Sequence, residues 1–188
     1  TIRRLKDGLR AYLPGLPPAE AGTDQRLQAL RPNRMENGSF LVVPKIEIKW
    51  DQNGELISDT FIELTNNGQD DVFIKLFYVH GDPSVCLAMD TQFEMTEHQQ
   101  AYWSVLTGAP GPGGDPIGTF LDIDDPPPAL DDDPLNPGGY ILEGYAILYA
   151  VDTQSREIRW NHLAANVTTV RYDLGTAWEY KAWPFRND

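Results

Sequence analysis

Apolar and polar positions alternate along most of the chain after residue 40, and that period of two predicts strands. In the stretch VPKIEIKWDQNGELISDTFIEL, Ile46, Ile48 and Trp50 alternate with Lys45, Glu47 and Lys49. Asn53-Gly54 supplies a turn that tolerates positive φ, and Phe61 to Thr65 can return as a second strand. TNNGQDD makes the next turn, and VFIKLFYV is apolar on both faces, which predicts a central strand. YILEGYAILYAV, EIRW, NVTTVRY and AWEYKAW read as further strands, with Gly144 suggesting a bulge or bend inside the longest. The stretch FEMTEHQQAYWSVLTG fits two elements. Thr96 and Gln99 match a helix capping pair, whereas Phe93, Met95 and the polar run after them match an edge strand, which the neighbouring strands favour. The body, residues 40–188, is expected to be all-β: an antiparallel β-sandwich, immunoglobulin-like or jelly-roll-like.

Two segments break the alternation. Residues 1–39 lack it and read as an arm with a linker. At its start, Ile2, Leu5, Leu9, Tyr12 and Leu13 recur at helical spacing and are stopped by Pro14. A helix that short is marginal alone and needs a surface to dock on. GLPPAEAG then reads as an extended linker. The second break, about residues 108–139, is rich in proline and glycine and is expected to be a long loop inserted in the domain.

Charge changes the picture more than composition does. The net charge of −13 is unevenly spread. Residues 1–40 hold seven cations, among them Arg3, Arg4, Lys6 and Arg10, against four acids, a balance of +3. The rest of the chain holds eight cations against 24 acids, and between Lys75 and Arg156 there is neither lysine nor arginine. An acidic body repels phosphates, so nucleic acid and anionic lipid are not expected partners. No apolar run approaches the roughly 20 residues that span a bilayer. Cys86, the only cysteine, excludes intrachain disulfides and cysteine-based metal centres.

The densest acidic stretch, LDIDDPPPALDDDPLNPGG, gathers Asp122, Asp124, Asp125, Asp131, Asp132 and Asp133. Asp122 and Asp124 can share one strand face, about 6.5 Å apart. Calcium takes six to eight oxygens, and such a loop supplies them. The triple proline opposes one shared ion, because polyproline geometry can hold Asp125 and Asp131 up to ~19 Å apart. A calcium site, a docking surface for a basic partner and a solvated loop all remain open readings. His80, His98 and His162 show no zinc spacing. No nucleophile elbow or phosphate-binding glycine loop is present, so no catalytic residue is nominated. Trp178 and Tyr180 fall on one face of AWEYKAW and Trp183 on the other. Exposed, they could stack sugars; buried, they are core.

The stretches LTGAPGP, TFIELTNNG and EIRWNHLAANVTTVRYDLGTAWEYKAWPF resemble a group of bacterial exported β-sandwich proteins over about residues 40–185. The resemblance implies a sandwich and a secreted or cell-surface address, and it carries no catalytic residues over. Two functional expectations follow. The first is a non-enzymatic structural or assembly protein, whose arm docks its apolar stripe and its cations on the acidic body of a neighbouring subunit or another protein, giving an oligomer or filament. The second is a calcium-dependent binding module, with the aspartate loop holding the ion and Trp178, Tyr180 and Trp183 facing a glycan.

Overall fold

The computed structural model describes residues 37–81, 88–120 and 131–186. They form ten strands: β1 (Phe40–Trp50), β2 (Leu56–Asn66), β3 (Val72–His80), β4 (Ala88–Met95), β5 (Gln100–Ser104), β6 (Asp131–Asp132), β7 (Tyr140–Val151), β8 (Leu163–Arg171), β9 (Thr176–Lys181) and β10 (Trp183–Phe185). The single helical element among the described residues is a 3-10 turn, Pro112–Gly114. None is a helix long and apolar enough to cross a membrane.

Every pairing is antiparallel, and the ladder runs β4-β3-β7-β1-β2-β8-β9, with β10 on β1, β5 on β2 and β6 on β7. The all-β antiparallel expectation holds. The ladder is one sheet, however, where a sandwich would have two. β1 is the reason. Its first residues, Phe40 to Val42, lie between β7 and β10, whereas its last two, Lys49 and Trp50, pair with β2. Between them the register shifts at Pro44 and Lys45, where a proline removes a ladder donor and a bulge bends the strand.

Gly144 of β7 faces that bend opposite Ile46. A Cβ there would sit 2.0 Å from the Val79 carbonyl oxygen and 3.1 Å from the Phe120 ring, so only glycine lets β3 and Phe120 close in. The bend suggested by the sequence is thus made by both strands.

The core lies where the branches of the sheet face each other. Ile74, Leu76 and Tyr78 of β3 and Leu41, Val43, Ile46 and Ile48 of β1 are buried with Ile62, Leu64, Trp103 and Val167 from β2, β5 and β8. Trp103 donates its indole N–H to the Tyr78 hydroxyl at 2.8 Å, and Phe93 meets the same indole edge-on at 5.7 Å. Burial pushes the Tyr78 pKa far up, so its hydroxyl stays protonated at physiological pH.

Several local expectations are modified. Thr96 and Gln99 do bond, the Gln99 Oε1 accepting from the Thr96 N–H at 2.7 Å, but the pair closes the turn between β4 and β5 and no helix follows. EIRW forms no strand and contributes one bridge, Glu157 to Val151. AWEYKAW divides at Ala182 into β9 and β10. The described part of the long loop is tied down: Ile117 N–H bonds to Gly108, Phe120 N–H bonds to Val105, and both side chains enter the core. A segment read as structureless therefore carries core residues.

Candidate functional site

Strand alternation sends half the side chains of β1, β3 and β7 away from the core, and in this protein that second face is also apolar. Register aligns it in rows. Trp183, Val42, Ile147 and Phe77 follow one another across β10, β1, β7 and β3, and the row ends at Asp90 on β4. The next row is Phe185, Phe40, Tyr149 and Lys75, ending at Gln92. Phe40 and Tyr149 lie 6.0 Å apart at 16°, Tyr149 and Phe77 6.0 Å apart at 10°, and Phe185 meets Phe40 edge-on at 5.9 Å. Phe73, Val79 and Tyr145 extend the patch in adjoining rows. None of these apolar residues is fully buried, and Trp183 and Phe185 are 54% and 50% exposed.

The border of this face is polar. Lys75 stands 5.4 Å from the Phe77 ring centroid and is paired with Asp90. Glu94, on the same side of β4, is exposed, as is Glu143 on β7. At the opposite border the chain comes in from its arm: Gly38 exchanges two backbone bonds with Leu163, and the Ser39 N–H bonds to the Phe185 carbonyl.

The other end of β1 has the reverse character. Lys49, Glu47 and Asp133 are each no more than 5% exposed. The Lys49 ammonium lies 3.7 Å from Glu47 and 3.6 Å from Asp133, Lys45 reaches Glu47 at 3.1 Å from outside, and the Ser58 hydroxyl donates to Glu47 at 3.3 Å. The Thr60 hydroxyl donates to the Glu47 carbonyl at 2.9 Å and accepts from the Glu47 N–H at 3.0 Å, replacing a ladder pair where β1 and β2 diverge. Arg171, fixed by two bonds to Asp173, has its pKa raised by them and further by Glu47 and Asp133.

A second buried carboxylate, Asp59, accepts from the Ser104 hydroxyl at 2.6 Å and from the Thr60 N–H at 2.7 Å. Desolvation pushes its pKa up, against these donors. Ser104 Oγ also accepts from Leu106 and Thr107 N–H groups, so the pair clamps a turn.

The residues singled out in the sequence are dispersed. The arm residues Ile2, Arg3, Arg4, Leu5, Lys6, Leu9, Arg10, Tyr12 and Leu13 lie outside the described residues, as do Asp122, Asp124 and Asp125. Asp131 and Asp132 form β6, with Asp132 exposed. Asp133 turns inward to Lys49 and accepts from the Leu135 N–H, because the β6 turn folds onto the end of β1. Trp178 is 42% exposed on β9, beside Thr169. Tyr180 is half-buried against the core and donates its hydroxyl to the Lys45 carbonyl, burial pushing its pKa up to about 12. Trp183 belongs to the β10 row, so the three do not make one strip.

Among the described residues no three His, Cys, Asp or Glu side chains stand together as a metal site. Missed in the sequence were Phe40, Val42, Phe77, Ile147 and Tyr149. The available signal was VFIKLFYV itself: apolar on both faces was read as a central strand, and β3 does lie between β4 and β7, but its second face was given no role.

No protein-family model matches the chain, and no curated protein matches it. A solved structure, Thermotoga maritima 1070, aligns with a TM-score of 0.49 at 9% identity, over 82% of this chain and 100% of that one. A likeness at that level carries nothing about function.

Proposed function

We propose that the protein is a non-enzymatic, extracytoplasmic assembly protein, its basic N-terminal arm docking on the acidic body of a neighbouring copy. The observation that supports this reading is the apolar face across β10, β1, β7 and β3, an aromatic and aliphatic surface with Lys75 within it and carboxylates at its border. Contiguous apolar surface of this kind marks interaction sites in soluble proteins. The arm has the complementary composition, an apolar stripe with cations beside it. The extracytoplasmic address rests on the resemblance to exported bacterial proteins alone.

Light scattering of the full chain, over a range of concentrations and salt, tests the reading. Association that weakens with salt is expected, and it should be lost in the full-chain double variant Leu5→Asp/Leu9→Asp. A wild-type chain that stays monomeric at low salt and high concentration ends the assembly reading.

A further inference from the structure

Resting on that reading, we infer that the surface receiving the arm is the outward face of β10, β1, β7, β3 and β4, and that its occupant is residues 2–13 of a second copy. The face is directional. Each of its two main rows runs from aromatic at β10 to polar at β4, ending at Asp90 or Gln92, with Glu94 beside them. The arm is directional in the same sense. At about 100° per residue, Ile2, Leu5, Leu9 and Leu13 form one stripe, and Lys6, Arg10 and Arg3 fall along a single flank of it. A helix lying on the face with that flank toward β4 sets its cations by the carboxylates and its stripe on Phe40, Tyr149, Phe77 and Ile147.

With that flank toward β4 the helix lies along the strands: twelve helical residues measure about 18 Å, and the outward residues of β3 from Phe73 to Val79 span about 20 Å. Charge favours this occupant over a second copy of the same face: beyond the Lys75–Asp90 pair the border carries Glu94 and Glu143, which the cations of the arm would meet and the same carboxylates of a second face would repel. Arm and receiving face are different surfaces, so the contact is heterologous and repeats from copy to copy.

Photocrosslinking within the full chain tests this. A benzophenone side chain replaces Leu9, and labelled and unlabelled chains (15N and 14N) are mixed before irradiation. Crosslinks joining the two isotopes within 73–79, 145–149 or 183–185 are expected. Mixed-isotope crosslinks confined to other segments, such as 108–139, overturn the assigned face and leave the assembly reading intact. Crosslinks within single chains only, or none, overturn both. In parallel, Phe77→Asp and Ile147→Asp should each weaken association at least about tenfold, as an interface anchor does. Unchanged association in a folded variant, its circular dichroism matching the wild type, rules the face out.

Discussion

β1 joins two regions with opposite habits. At its start, Phe40 and Val42 send apolar side chains to a face that is left partly open. At its end, Glu47 and Lys49 are charged and buried. The difference teaches that alternation fixes which way a side chain points, while the neighbours fix whether anything covers it. The turn carrying Asp133 folds over the charged end; none of the apolar residues on the other end is fully covered by a described element. The charged end thereby bears on stability, and the apolar end is where the association proposed above would act.

That contrast can be broken, beginning with the largest expected effect. Lys49→Met leaves Glu47 and Asp133 buried without their shared cation and should destabilise the fold by about 3–5 kcal/mol in urea unfolding. Lys45 still reaches Glu47, so the lower end is expected. Replacing Lys49, Glu47 and Asp133 together by apolar residues of similar volume should recover most of that loss, and failure to recover would assign the cluster a larger net role than paired charges normally have.

Gly144→Ala comes next. The new methyl meets the Val79 carbonyl where β7 crosses the bend, and a loss of about 1–3 kcal/mol is expected in the same measurement. Substitutions on the open face should do less. Phe77→Thr is expected to change unfolding free energy by about 1 kcal/mol or less, since its ring is only half-buried, while weakening association. A loss as large as that of Lys49→Met would erase the distinction between the two ends.

Asp59 gives the smallest and most specific test. Its folded pKa is raised, so between its unfolded value and that raised value the native state binds more protons than the unfolded chain. This group therefore contributes stability that falls as pH rises through that window. Asp59→Asn should flatten the stability profile from about pH 4 upward, read by urea titration at successive pH values. An unchanged slope would mean that the donors from Ser104 and Thr60 already offset burial.

Much of the strand order in sequence was legible because alternation and turn residues are local. β1, β2, β3, β7 and β8 follow from them, as does the Asn53-Gly54 turn, where Asp51 accepts from the Asn53 and Glu55 N–H groups. Pairing was less legible, since β1 changes partner at a bulge that only Pro44 hints at. The core role of Phe120 was hidden by the glycines and prolines around it, which report on local backbone and not on where the loop travels. Asp133 read as one of six loop carboxylates for a calcium ion because its partner, Lys49, lies 84 positions away in sequence. The candidate face went unnoticed for a related reason: a strand apolar on both sides has the same sequence whether its second side is covered by its own chain or by another molecule.

The attachment of the arm has a mechanical consequence. Gly38 and Ser39 are stitched to Leu163 and Phe185, and β1 continues directly from them beside β7, with register from Phe40 to Trp50. A load applied at Gly38 along the axis of β1 acts on that register. Ladder bonds lie across that axis, so they are loaded side by side in shear and must give way collectively, where a strand peeled from its end would open like a zipper. The start of β1, bonded to β10 on one edge and β7 on the other, meets such a load on both edges at once.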